Sequence, residues 1–272
     1  MCKVLKVPRS SYYKSINKKP SNREVENLKI EKKIIDIHKE SKNRYGAVKI
    51  NETLKSSGIT ISLKRTQRLM KKLGIKSIII KKYRPTSSKR KIEEQENVLK
   101  RDFKTTTINE KWVTDITYIH TVKDGWCYLA SVMDLYSRKI IGYSMSRSID
   151  TNLALQAVKN AIKLQNPSKP LILHSDLGCQ YTSTAFKEYI SGTKIITHSF
   201  SGKGCPYDNA CIESFHASLK KEEVHLVKYF DFDVARLAIF EYIESWYNRK
   251  RIHSSIGYIS PQKCEDLARK IA

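Results

Sequence analysis

The sequence predicts an α/β fold, a mixed sheet flanked by helices, preceded by a small all-α basic region. Three strand-like runs, Lys111 to Thr121, Trp126 to Asp134 and Lys139 to Ser146, follow one another across hairpin-sized gaps, so an antiparallel meander is expected. Behind them helical and β-branched runs alternate, as in a sheet with helices on its faces. Charge divides the chain too: residues 1–100 hold 28 Lys and Arg against 9 Asp and Glu, net +19, whereas residues 101–272 hold 23 against 18, net +5.

A chain of 272 residues, 40% of them hydrophobic, suits one large or two modest domains with a real core. No window approaches 18 uninterrupted apolar residues, and Met1-Cys-Lys-Val-Leu-Lys has no apolar signal core. The expectation is a soluble, cytoplasmic protein with no membrane partner. Cys2, Cys127, Cys179, Cys205, Cys211 and Cys264 form no CxxC pair, which argues for reduced thiols rather than bridges or a zinc site. The basic front third suggests a nucleic-acid-binding module, the alternative being a Lys-rich bias that only solvates the surface.

Taken in order, residues 1–20 are a short helical lead-in or the tail end of something larger. Val25, Leu28, Ile34, Ile35 and His38 recur at helical spacing between Arg23 and Ser41. A second helix runs from Tyr45 to Ser56 and stops at Gly58. Ser62 caps a third, carrying Leu63, Leu69, Met70 and Leu73 and ending at Gly74. Two short helices about a Gly-containing turn suggest a helix-turn-helix, with an ordinary α-hairpin as the alternative. The third helix offers Lys64, Arg65, Gln67, Arg68, Lys71 and Lys72 for phosphates and base edges. Residues 1–80 thus form a basic helical DNA-binding region and 81–107 a basic linker. Residues 108–272 form the second module.

In that module the meander is followed by a helix from Thr151 to Leu164, a strand over Leu171–Leu173, a helix from Thr182 to Ile190 and a strand from Lys194 to His198. A long helix from Tyr207 to Glu223 and another from Phe230 to Trp246 come next. The basic segment Tyr247-Asn-Arg-Lys-Arg-Ile-His253 to Tyr258 forms the closing tail.

Three acids stand out by setting. Asp115 lies inside the first strand, Asp176 follows the fourth just before a Gly, and Glu213 lies in the long helix. Sixty residues lie between the first two and 36 between the second pair, so only the tertiary fold can join them. Hard divalent cations take carboxylate oxygens, and two such ions can activate an attacking oxygen and stabilise a leaving one in phosphodiester chemistry. On that reading Asp115 bridges both ions, and Asp176 and Glu213 hold one each. The alternative is that these are surface or capping acids. Asp134 is the nearest competitor, though a turn role explains it, and Asp208 reads as a helix N-terminal acid.

The segments WVTDITYI, HSDLGCQYTS, KGCPYDNACIESFHASLKKE and YNRKRIHSSIGYISP resemble the signature segments of DDE-type insertion-sequence transposases. More narrowly they resemble the second-reading-frame (orfB) product of the insertion sequence three family, related to retroviral integrase cores. RYGAVKI through Leu69-Met-Lys-Lys-Leu73 also resembles that family's helix-turn-helix. The resemblance implies a ribonuclease H-like fold and a catalytic, metal-holding triad at Asp115, Asp176 and Glu213. It further implies 3′-end nicking and strand transfer with Mg²⁺, Mn²⁺ as substitute, and two ions per site when DNA is bound.

Lys220 matches the family's basic residue two helical turns after the acid, and Asn209 shares that face; both are candidate DNA contacts. His174 and Gln180 flank the second acid, where a core histidine and a loop amide are equally credible. Arg249, Arg251 and His253 match the closing motif, with phosphate contact and fold support both open. Ser191-Gly-Thr-Lys194 is looser than the family's usual join, and no His-His-Cys-Cys zinc module precedes the core. The implied partners are DNA, as element terminal repeats and target, further copies of the chain in the DNA complex, and an upstream-frame (orfA-type) protein or fusion in a bacterial, nucleoid-associated setting. Two other readings stay open: a DNA-binding accessory product active only with that upstream-frame protein, and a generic metal-dependent nuclease.

Overall fold

The computed structural model describes residues 8–17, 20–78, 96–202 and 206–271, which fall into two compact units, Met1–Ile78 and Ile79–Ala272. The most basic part of the expected linker, residues 81–95, lies outside the described residues, as does the start of the lead-in, residues 1–7. Among the described residues no helix is long and apolar enough to cross a membrane.

The first unit is helical: α1 (Arg9–Ile16), α2 (Asn22–Glu40), α3 (Ala47–Ser56) and α4 (Leu63–Lys72). Ser21 and Glu24 form a reciprocal capping box that starts α2. Gly58 at φ +80 turns the chain out of α3, and the Ser62 hydroxyl accepts from the Arg65 N–H to start α4. Asn51 locks the turn by donating to the Ile61 carbonyl and the Thr66 hydroxyl. The core uses Ile30, Ile34, Ile50, Leu54, Leu69 and Met70. Val25 and Leu28, counted above in the apolar stripe of α2, are exposed instead.

The second unit contains β1 (Lys111–Thr121), β2 (Gly125–Asp134), β3 (Ile140–Ser146), α5 (Thr151–Gln165), β4 (Leu171–Ser175), α6 (Cys179–Thr182), α7 (Thr184–Gly192), β5 (Ile196–Phe200), α8 (Ala210–Leu219), α9 (Phe232–Glu241) and α10 (Pro261–Ile271). Its five-stranded sheet has the order β3-β2-β1-β4-β5. The β1–β2 and β2–β3 pairs are antiparallel, and the β1–β4 and β4–β5 pairs are parallel. That is the mixed, ribonuclease H-like sheet the sequence resemblance implied.

Alternation along β1 assigns its faces. Trp112 and, less deeply, Ile116 join Ala130, Val132, Leu171 and Leu173 in a core closed by Leu153, Ala154, Ala157 and Val158 of α5. Gly142 permits the contact, because a Cβ there would stand 2.4 Å from the Ala157 carbonyl oxygen. Asp115 alternates to the opposite face. Ser131, its partner across the β1–β2 ladder, meets His216 of α8 at 2.7 Å, so α8 lies on the side of Asp115.

Several elements differ from expectation. Residues 96–107, assigned above to the linker, pack on this unit: Leu99 is buried, its N–H donates to Ser199, and the Phe200 N–H donates to the Glu96 carbonyl. The long helix expected from Tyr207 begins as a tight 3₁₀ turn, Pro206–Asn209, and after α8 widens into a π-helical turn, Lys220–Val224. A second π turn, Tyr242–Tyr247, follows α9. The Ser191–Lys194 join is a capped helix end, with Thr193 bonded back to Ile190 and Lys194 at φ 58. Beyond the expected basic tail, the chain folds into α10, docked by Glu265, which accepts from Lys139, Gln165 and Arg269.

Candidate active site

β4 pairs with β1 only from Lys111 to Val113, where Val113 faces His174. Two residues further along each strand the register sets Asp176 beside Asp115. Glu213 comes from α8, whose start is pinned to β1 because the Asn209 amide donates to the Thr114 carbonyl at 3.1 Å. Strand, strand end and helix thus come together along β1.

The three acids feel one another. The Asp176 carboxyl is pushed up to about 6, first by burial and then by the charge of Asp115, with Glu213 adding to it and the Gly178 N–H opposing it. Glu213 is raised as well, by burial and then by Asp115. Both side chains keep an exposed edge, so the like-charge push is the contribution that holds at such positions. Asp115 is common to both effects and sits at the middle of the cluster.

The protein holds each acid in place. One Asp115 oxygen accepts from the Ile116 N–H at 2.8 Å, and the other lies 3.4 Å from His216 Nδ1. His216 is fixed in turn by Ser131. Asp176 accepts from the Gly178 N–H at 3.0 Å, and a Cβ on Gly178 would lie 2.9 Å from that oxygen. Behind both, the Tyr181 hydroxyl meets the Thr114 hydroxyl at 3.1 Å, joining α6 to β1. Sequence reasoning did not single out His216. Its signal was its place three residues after Glu213, on the same helical face.

Among the described residues no three His, Cys, Asp or Glu side chains stand close enough to make a ready metal cage. The donor set, carboxylates that raise one another's affinity for positive charge, is consistent with divalent-metal use.

The other candidates divide sharply. His174 is a neutral core histidine: its ring nitrogens lie 2.9 and 3.0 Å from the hydroxyls of Ser199 and Ser201, and burial holds it down to about 4. Gln180 places its side-chain oxygen beside Gly178. Lys220 is half-buried, with Nζ 4.0 Å from the centre of the Tyr118 ring; burial lowers its ammonium while Asp115 opposes that. Asn209 is buried on β1 rather than offered to solvent.

Arg251 is an internal group. It pairs with Glu222, which also accepts from Tyr242 and Trp246, and it donates to Ser218. Arg249 is exposed, and His253 lies 2.9 Å from the Ser255 hydroxyl. Asp134 is a turn acid, accepting from Asn109 and Ser137, and Asp208 lies in the 3₁₀ turn that leads into α8, where it also pairs with Arg101.

In the first unit Arg65 is tied back to Glu26 and Asn27 of α2, and Lys72 to Glu31. Lys64, Gln67, Arg68 and Lys71 stay exposed along one stripe of α4.

Known proteins share this organisation. A family model described as an integrase core domain matches residues 106–206, a second integrase core domain model matches residues 194–261, and an HTH-like domain model matches residues 24–83. The transposase InsF for insertion sequence IS3A of Escherichia coli is 35% identical over 269 residues, 98% of this chain and 93% of that protein. The transposase for insertion sequence element IS904 of Lactococcus lactis is 37% identical over 251 residues, 92% of this chain and 98% of that protein. A solved structure, the HTLV-2 integrase catalytic core domain in complex with magnesium, is similar at 17% identity and a TM-score of 0.45, over 60% of this chain and 99% of that one.

Proposed function

Because the chain belongs to the IS3 family of insertion-sequence transposases, DNA-cleaving and strand-transferring enzymes with an integrase-type core, we propose that Asp115, Asp176 and Glu213 are its catalytic acids. The observation that carries this is their convergence on one face of β1, with Asp115 raising both partners. A divalent cation held by them, Mg²⁺ with Mn²⁺ as substitute and two ions when DNA is bound, would supply charge stabilisation for the attacking and leaving oxygens of an in-line displacement. His216 and the Ile116 N–H orient Asp115, and the Gly178 N–H orients Asp176. Lys220, beside this cluster, holds a DNA phosphate near the acids. Positioning and electrostatics supply the catalysis, without a covalent enzyme intermediate.

The exposed stripe Lys64, Gln67, Arg68 and Lys71 reads the element ends, while Arg65 braces the helix that carries it. Synapsis of two ends calls for more than one copy of the chain. The test is purified protein with the terminal repeats flanking its own gene and Mg²⁺ or Mn²⁺, scored for 3′ nicks and joined products. Wild type yields both and Asp176→Asn binds without cutting. Cutting that survives in Asp176→Asn refutes the triad, and binding without cutting in both proteins points to dependence on an upstream-frame partner.

A further inference from the structure

The β1–β2 hairpin runs on past the helices that cover the first half of β1 and the second half of β2, and one face of its far end is left open. Tyr118 and Tyr128 are directly opposed across the ladder, as are His120 and Trp126. Trp126 is 53% and Tyr118 44% exposed, although rings of this size ordinarily go to a core. They are ordered against each other: Trp126 meets Tyr118 edge-to-face at 5.1 Å and His120 at 5.0 Å.

An open groove of about 1220 Å³ lies over these rings, its far wall formed by the end of α8 and the π turn. Lys220 and Lys221 line that wall, Lys228 joins them from the segment that follows it, and among the described lining residues none is acidic. Lys220 belongs to both places at once, with Nζ over the Tyr118 ring and within the field of Asp115. Lys220 therefore joins the groove to the neighbourhood of the acids.

Lysines facing an aromatic sheet surface are the means by which proteins hold unpaired nucleotides, phosphates on the cations and bases on the rings. A purely phosphate-binding wall has no use for four aromatic side chains, and a plain apolar docking face has no use for three lysines. We propose that this groove is a base-stacking subsite for unpaired nucleotides of the strand whose phosphodiester sits at the acids, with Trp126 and Tyr118 as the platform. The inference rests on the DNA-cleaving reading above and adds that the DNA is locally unpaired there.

Tryptophan emission of the full chain reports on the groove, since Trp112 and Trp246 are buried and Trp126 is exposed. The probes are a short oligothymidylate and an abasic oligomer of equal length and charge, each end-labelled so that fluorescence anisotropy reads binding in the variants that lack Trp126, titrated in EDTA. Oligothymidylate is expected to quench the emission and bind about tenfold more tightly than the abasic oligomer, the scale of one stacked base. Trp126→Ala should erase that preference, Trp126→Phe should retain most of it, and duplex binding should change less than twofold. Tyr118→Ala is the second variant, and the comparison of the two oligomers needs no variant.

Equal binding of the two oligomers, or a preference that survives both alanine variants, overturns the subsite and leaves a merely charged wall. Groove occupation by a poly-glutamate peptide in place of oligothymidylate, or self-association that Trp126→Ala abolishes, overturns it in favour of a protein partner. Nicking by wild type, measured in parallel, keeps the fate of the DNA-cleaving reading separate from that of the groove.

Discussion

Asp176→Asn tests the electrostatic core of the site without touching DNA. The carboxyl is moved from 3.8 to about 6, and at 1.36 kcal/mol per pH unit this corresponds to about 3 kcal/mol of strain at neutral pH. Its exposed edge and ordinary salt screen part of that, so about 1 kcal/mol is the expected gain from removing the charge. Asn keeps an oxygen to accept from the Gly178 N–H. For a unit the size of Ile79–Ala272, this corresponds to a rise in Tm of about 2–4 °C. The assay is thermal unfolding followed by circular dichroism at pH 7 in EDTA, repeated with Mg²⁺. Wild type is expected to gain stability with the ion, by binding linkage, and the variant to gain little. An Asp176→Asn protein that melts lower in EDTA, or responds to Mg²⁺ as wild type does, refutes the mutual repulsion and the shared cation.

The pH dependence of metal-free stability has a definite sign. His174 and His198 are each held near 4 by burial, so between about 4 and 6.5 the unfolded chain takes up protons there that the folded chain refuses, and stability rises with pH. Asp176 works the other way: its contribution is full below 3.8 and lost as pH rises through about 6. Glu213, raised as well, acts with Asp176, so removing the Asp176 charge should make the slope of stability against pH more positive between pH 4 and 7; urea titrations that show a less positive slope in Asp176→Asn refute this. Arg251→Ala should cost about 3 kcal/mol, because Glu222 then keeps a part-buried charge without its cation, whereas Arg249→Ala should leave urea unfolding unchanged. A stable Arg251→Ala protein with weakened DNA affinity would reverse those roles. In duplex binding, Lys64→Ala and Lys71→Ala should each flatten the plot of log affinity against log salt by about 0.9 for every phosphate left without its cation, while Arg65→Ala destabilises the first unit. Unaltered slopes in both lysine variants would remove α4 from the interface.

What was legible in the sequence followed from local periodicity. The run from Lys111 to Thr121 is rich in β-branched and aromatic residues and became β1 with the same ends. Ser62 and Gly58 marked the turn of the first unit because capping and positive φ are local demands. Asp115, Asp176 and Glu213 were legible through setting and resemblance, and their convergence needed the register of β1 with β4 and the Asn209 clamp. Arg251 could not be read, because the partner that internalises it lies 29 residues upstream, and nothing in Tyr247 to Tyr258 signals that pairing. The π turns were equally silent, since a widened turn keeps the apolar spacing of a helix and changes only which residues face inward.

The acids and the aromatic groove share one physical origin, the shortness of β4. Once β4 leaves β1 after Val113, the second edge of β1 carries backbone groups that must be paired or left in water. The Asn209 amide takes the Thr114 carbonyl, and further on the N–H groups of Val122 and Lys123 donate to the carbonyls of Tyr229 and Phe230. A chain anchored at Asn209 and again at Tyr229 has to run beside β1 between those points. That course brings Glu213 to Asp115 and sets Lys220 over Tyr118. A longer β4 would satisfy the same edge with main-chain bonds and leave α8 no reason to approach. The unpaired edge is thus what gathers a helix acid, a lysine and an open aromatic face around one strand.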